Sequence, residues 1–390
     1  MKYCLLVLSI AISITVSNAQ KISVSLFNNL NLKTLLVTPV KGNYSIITET
    51  GSFNINPNQI IYISRAGDSV KVRDMASHLG TWERVSIVGK GEGNVIRLNP
   101  ISPSMPARIY DDNLGFYVDF ERLMAINIVE VDSYIAGVVE AESGPSAQLE
   151  FYKAQALLAR TFTYGHMERH TGEGFNLCDE VHCQVYKGKS TKNPKIHEAT
   201  KKTKDQVVVN NENNMILGAF HGNCGGQTAN AGDVWLQNHK YLVSVNDSYC
   251  KGQPSSKWEA IIPKDEWLDF LSQKGVNTDE ITNEDLIFTP KKRKYHYTVG
   301  GKSIRLTEIR KHFQLRSAYF TVNADSDKIK IEGKGYGHGV GMCQDGAIQM
   351  ARKGKTYQQI IQHYFKDVKI VKYPDAKGFE EDSLIDMSDY

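Results

Sequence analysis

From Lys21 to about Val131, apolar and polar residues alternate in short runs separated by glycine, asparagine and aspartate. Ile22-Ser23-Val24-Ser25-Leu26, Ser69-Val70-Lys71-Val72 and Val95-Ile96-Arg97-Leu98 carry a period of two, and Ile60-Ile61-Tyr62-Ile63 is a short apolar run. A period of two places every second side chain on one face of a strand, so residues 20–125 are predicted to form a β-rich N-terminal region.

The pattern changes at Val131. Tyr134 to Val139 leads into Glu140-Ala141-Glu142-Ser143-Gly144-Pro145-Ser146, and an alanine- and leucine-rich segment follows. Pro145 marks a turn, Ser146 suits a helix N-cap and Glu150 suits the positive end of a helix, which predicts a helix over 147–170. Its apolar residues run around most of the circumference, so it should be buried. Lys153 and Arg160, seven residues apart, share one stripe of it and require polar partners. Further on, Ile196–Lys204, Pro263–Lys274, Leu306–Phe313, Met342–Arg352 and Tyr357–Phe365 read as helices. Val207–Val209 should pair with Met215–Leu217, Gly300-Gly301 should turn a hairpin, and residues 318–331 should give two strands. The expected class is α+β: a β-rich part joined to a mixed region with a long buried helix after Glu142. Residues 374–390 read as an acidic tail.

The N-terminus changes the setting. Lys2, the apolar run Leu5–Val16 and the small-residue site Ser17-Asn18-Ala19 form a secretory signal over 1–19, so the mature chain should begin near Gln20. Export to the periplasm or cell envelope, or secretion, is the expectation. No stretch reaches the ~20 apolar residues of a membrane-spanning helix. Lys and Arg total 46 against 43 Asp and Glu, with no basic block, which argues against a nucleic-acid partner and favours a neutral or weakly charged polymer. Of six cysteines, five follow the signal, and an odd number leaves at least one outside any disulfide.

One segment stands out chemically. Gly333-Lys334-Gly335-Tyr336-Gly337-His338-Gly339-Val340-Gly341-Met342-Cys343-Gln344 places glycine at every second position before a helix, allowing close backbone approach to a ligand and presenting His338 from a loop. It lacks the Gly-Lys-Ser/Thr ending of a phosphate loop.

This run resembles the C-terminal signature of the stage II sporulation protein D and LytB (amidase enhancer) family, Gly-x-Gly-His-Gly-x-Gly-Met-Ser-Gln-x-Gly-Ala, with Cys343 where the family often has serine. Three further segments are similar to family blocks and come in family order. They are Tyr134–Glu142 with Lys153-Ala154-Gln155-Ala156 and Ala159-Arg160-Thr161, then Cys183-Gln184-Val185-Tyr186-Lys187-Gly188, then Asn223-Cys224-Gly225-Gly226-Gln227-Thr228. The resemblance implies a family core over 126–373 and a lytic transglycosylase that cleaves the MurNAc–GlcNAc linkage of peptidoglycan glycan strands, preferably stripped of peptide. Glu142 would be its catalytic acid/base. It also implies that Lys153, Arg160, Tyr186, His338 and Gln344 lie in or near the substrate cleft. Tyr186 would stack on sugar if exposed, or else belong to the core.

Lytic cleavage suits a single carboxyl, which protonates the glycosidic oxygen and then takes the proton of the muramic C6 hydroxyl, with no external water to activate. Glu140 would share the face of Glu142 if the segment were extended, so spacing does not choose between them. Some family members hold zinc through one histidine and two cysteines. Here His170, Cys178 and Cys183, with His182 as an alternative ligand, would form a structural site. A Cys178–Cys183 disulfide is the rival, and Cys224 with Cys250 is a candidate second disulfide. The alternative function is that of the amidase enhancers, a non-catalytic wall-binding modifier acting with an amidase.

Overall fold

The alternation in the first part of the chain becomes one large sheet. A computed structural model describes residues 20–235 and 237–379; the expected signal segment and the tail beyond 379 lie outside the described residues. The eleven-stranded sheet runs in the order Leu177–Cys178, Lys21–Leu26, Arg122–Glu130, Asn113–Asp119, Arg84–Ser102, Thr34–Thr48, Ile61–Ala66, Ser69–Arg73, His78–Trp82. Gly51–Ile55 pairs on Thr34–Thr48, and Arg108–Asp111 on Arg84–Ser102. Pairing is antiparallel except between Lys21–Leu26 and Leu177–Cys178. The predicted inward positions Val24, Val70, Val72, Ile96 and Leu98 are buried.

The helices are α1 (Val131–Ser143), α2 (Leu149–Gly165), α3 (Pro194–Lys202), α4 (Ala231–Trp235), α5 (Lys264–Gln273), α6 (Leu306–His312), α7 (Gln344–Arg352) and α8 (Tyr357–Tyr364). With the sheets they make an α+β fold. One open alternative is settled and one local expectation is corrected. The segment before Gly144 is helical, because Tyr134, Ile135, Val138 and Val139 are all buried at helical spacing and tertiary packing overrides their strand preference. The buried helix α2 is shorter than predicted and starts at Leu149, with Gln148 and not Ser146 at the cap position and no side-chain cap. Its entry is instead fixed by the Tyr152 hydroxyl, which donates to Gly144 O and accepts from Ala147 N, each at 2.9 Å.

The division at residue 125 does not coincide with a break in packing. Strand Arg122–Glu130 crosses it, and one continuous core joins Val24 and Leu35 of the sheet to Leu157 of α2, Val208 and Ile361 of α8. A separate smaller core lies within residues 258–331 around Trp267, Phe270 and Tyr297, beneath the antiparallel strands Lys257–Pro263, Lys328–Lys334 and Phe320–Ala324. At the C-terminal end, Lys377–Phe379 pairs in parallel with Asn214–Met215, and the Phe379 ring packs against His166, so ordered structure continues past residue 373. No helix among the described residues is long and apolar enough to cross a membrane.

Candidate active site

Helix α1 stops at Gly144, whose φ of 68° leaves the helical region, and this sets Glu142 in the last turn. On a helix, residues two apart point roughly 200° apart. Glu140 and Glu142 therefore do not share a face. Glu140 accepts from Ser190 Oγ at 3.0 Å and from the N–H groups of Thr191 at 3.1 Å and Lys192 at 2.8 Å. Glu142 points the other way, and its Oε1 accepts the Val185 N–H at 2.9 Å. Burial pushes the Glu142 carboxyl above the usual carboxylate range, opposed by the Val185 hydrogen bond and the charge of Lys187. The negative end of α1 acts in the same direction as burial.

Glu142 lines a cleft of about 570 Å³ together with Gln184, His221, Tyr336, His338 and Gln344, and with Arg310 and Arg316 from the segment that holds the smaller core. The glycine-rich run forms its wall. Gly335, Gly337, Gly339 and Gly341 all have positive φ, and a Cβ at Gly341 would stand 2.2 Å from Ala219 O, so these positions need glycine. Within that wall His338 is buried. Its Nε2 donates to Phe220 O at 2.8 Å and its Nδ1 accepts from Val340 N at 3.1 Å, which holds the ring neutral, and burial drives its pKa well below the ordinary value. His221 lies edge-on to it, with Nδ1 at 3.0 Å from Val340 O, and burial lowers its pKa to about 3. Gln344, the first residue of α7, donates to Glu142 O at 3.3 Å and so ties α7 to the end of α1.

The remaining residues singled out by resemblance lie elsewhere. Lys153 pairs with Glu150 at 2.5 Å and sits over the Tyr357 ring. Arg160 is fully buried, bonded to Asp132 at 2.7 Å, Thr203 O at 2.8 Å and Thr200 O at 3.2 Å. Neither is among the residues lining the cleft. Tyr186 has no exposed surface. Its hydroxyl donates to Asn127 Oδ1 at 2.9 Å and its ring packs on Tyr110 and Tyr134, so of its two sequence readings the core one holds. The exposed aromatic of the cleft is Tyr336, at 53% exposure. A signal for it was in the sequence: a large ring flanked by glycine on both sides has no neighbouring side chains to cover it. Arg310, Arg316 and His221 carried no comparable signal, because only long-range packing brings these residues to the cleft.

Against the same cleft stands the histidine–cysteine cluster. One ligand atom each of His170, Cys178, His182 and Cys183 lies within 4.8 Å of all the others. Cys183 Sγ is 3.4 Å from His170 Nε2 and 3.8 Å from His182 Nδ1, and Cys178 Sγ is 3.9 Å from His182 Nδ1. Zinc bonds of about 2.3 Å to sulfur and about 2.0 Å to nitrogen in a tetrahedron put neighbouring ligands roughly 3.3–3.8 Å apart, so this donor set fits. His170 Nδ1 meets Glu173 Oε1 at 2.5 Å, the carboxylate support that a metal-binding imidazole takes. The Cys178 thiol is drawn down to about 5 by its hydrogen bond with Cys183, whose own proton is held more tightly in consequence. All five described cysteines are free thiols.

In sequence the chain has relatives among the sporulation proteins. Residues 119–210 match the family model described as stage II sporulation protein. The chain is 31% identical over 267 residues to the stage II sporulation protein D of Bacillus subtilis (strain 168), covering 63% of this chain and 76% of that one. An uncharacterized protein of Brachyspira hyodysenteriae (strain ATCC 49526 / WA1) is 28% identical over 368 residues, 92% of this chain and 98% of its own length. The amidase enhancer of Bacillus subtilis (strain 168) is 26% identical over 294 residues, 61% of this chain but 40% of its own. The chain belongs to the SpoIID/LytB family.

Proposed function

We propose that this protein is an exported peptidoglycan lytic transglycosylase that cuts MurNAc–GlcNAc linkages of peptide-denuded glycan strands with Glu142 as its single acid/base. The observation that carries the reading is the setting of that carboxyl: half-buried in a cleft, held by one backbone N–H, with burial raising its pKa in the direction an acid catalyst needs. The protonated carboxyl donates to the departing glycosidic oxygen. The resulting carboxylate takes the proton of the muramic C6 hydroxyl as that oxygen closes on C1 to form the anhydro ring. No second carboxylate is required, and Glu140 is engaged on the opposite side of α1. Tyr336 offers a face for a sugar ring, and Arg310 and Arg316 offer cations for the lactyl carboxylate of muramic acid.

His170, Cys178, His182 and Cys183 would hold one structural zinc ion, all four positions being taken by protein. Its contribution would be to fix the loop that carries Val185 to Glu142.

The test is incubation of the mature protein with denuded glycan strands and mass spectrometry of the products. Anhydro-muramyl ends are expected from the wild type and not from Glu142→Gln, while Glu140→Gln, if folded, retains them. Unchanged product from Glu142→Gln would sink the assignment. Because one relative is named an amidase enhancer, absence of cleavage by the wild type together with stimulation of an added amidase would replace it with the modifier reading.

A further inference from the structure

Three cysteines take no part in the cleft or in the histidine–cysteine cluster. Cys224 follows the strand Phe220–His221, Cys250 lies in the loop before Lys257–Pro263, and Cys343 immediately precedes α7. These segments are distant in sequence, yet their sulfurs converge with the carboxylate of Asp247, one ligand atom of each lying within 4.8 Å of every other. All four residues are at most 1% exposed.

The internal geometry is that of a coordination shell. Cys224 Sγ is 3.4 Å from Cys250 Sγ and 3.3 Å from Asp247 Oδ2. Ligands around tetrahedral zinc, with bonds of about 2.3 Å to sulfur and about 2.0 Å to oxygen, stand roughly 3.3–3.8 Å apart.

The surroundings are those of charged ligands. Cys343 Sγ accepts two backbone N–H groups, from Cys224 at 3.3 Å and Gly346 at 3.4 Å, and as the N-cap of α7 it lies at the positive end of that helix. Cys183 Sγ in the first cluster accepts the Cys178 N–H at 3.4 Å in the same manner. Asp247 is oriented through both oxygens: Oδ1 accepts the Tyr249 N–H at 2.8 Å and Oδ2 the Tyr364 hydroxyl at 3.0 Å, the outer support typical of a ligating carboxylate. Space is kept for this by Gly346, where a Cβ would stand 2.2 Å from both Asp247 Oδ2 and Tyr364 Oη. A wholly buried carboxylate among three sulfurs calls for a cation to balance it.

We propose that Cys224, Asp247, Cys250 and Cys343 form a second, closed zinc site that fastens α7, and with it Gln344 of the cleft, to the loops at 224 and 247–250. Binding releases the protons of the thiols, and the soft three-sulfur set selects zinc over magnesium or calcium. The site rests on its own four residues and stands whether or not the protein cleaves glycan.

The experiment measures zinc per chain in full-length protein purified with its thiols reduced. Cys343→Ser keeps a side-chain acceptor at the cap and is expected to lower the content by one equivalent relative to the wild type. Should that variant not fold, the His170→Ala/His182→Ala variant, which disables the first cluster alone, is loaded with zinc. X-ray absorption at the zinc edge should then show three sulfur neighbours and one oxygen. Equal zinc in wild type and folded Cys343→Ser, or a shell without three sulfurs, overturns the site. A Cys224–Cys250 disulfide in non-reduced peptide maps of protein made by an exporting host also overturns it.

Discussion

The N–H of Val185 meets Oε1 of Glu142 at 2.9 Å, and Val185 stands two residues beyond Cys183. The loop that gathers two histidines and two cysteines thus also carries the one backbone donor that orients the proposed catalytic carboxyl. Loss of order in that loop should reach Glu142 directly.

Glu173 offers a mild way to test this. It supports His170 without joining the cluster, so Glu173→Ala should weaken zinc binding by about 10–100-fold in a chelator competition. Thermal unfolding in the presence of chelator should shift down in the same variant first. Unchanged affinity would show that Glu173 does not support a zinc-bound His170.

The raised pKa of Glu142 fixes the sign of two pH effects. In the proposed reaction the acid form is the working form, so cleavage should fall as pH rises through the raised pKa, and Glu142→Gln should lose about 10²–10⁴-fold in rate. The folded chain also holds this proton at pH values where the unfolded chain has released it, so stability from this group declines as pH rises through that window. Glu142→Gln should therefore be more stable than the wild type at neutral pH, with the advantage shrinking toward pH 4. Urea midpoints at the two pH values measure it.

Arg160 and Lys153 are expected to behave as parts of the fold. Arg160→Ala leaves Asp132 and two buried carbonyls without their partner and should cost about 2–4 kcal/mol of stability, while Lys153→Ala, losing a partly exposed pair, should cost under about 1 kcal/mol. Neither should change KM for glycan in the folded protein. A selective rise in KM would return them to the substrate site.

Tyrosines 336 and 186 should separate in the opposite way. Tyr336→Ala should raise KM several-fold with little loss of stability, since it removes an exposed ring. Tyr186→Phe should leave KM unchanged and lower stability by about 1 kcal/mol through the lost bond to Asn127.

Buried histidines predict acid lability. Burial lowers His166 to about 4 and His221 to about 3. Between pH 6.5 and these values the unfolded chain binds the proton and the folded chain does not, so stability falls with falling pH, by about 1.4 kcal/mol per pH unit for each such group. His166→Gln should flatten the slope of unfolding free energy between pH 6 and 5 by about 1 kcal/mol. An unaltered slope would show that His166 titrates normally.

By itself the sequence determined the strands of the first part, the buried helix, the later helices and the family, because period-two alternation, an apolar circumference and glycine spacing are local consequences of backbone geometry. The glycine run also fixed a wall whose conformation no other residue type would adopt. Only tertiary structure decided the rest. Whether Val131–Ser143 was strand or helix, and so whether Glu140 or Glu142 faces the cleft, depended on the packing of Tyr134 and Val138 against distant elements. Arg160 and Tyr186 matched family positions, yet burial gave them internal partners. The gathering of Cys224, Asp247, Cys250 and Cys343 is a matter of long-range contact, which residue spacing along the chain does not encode.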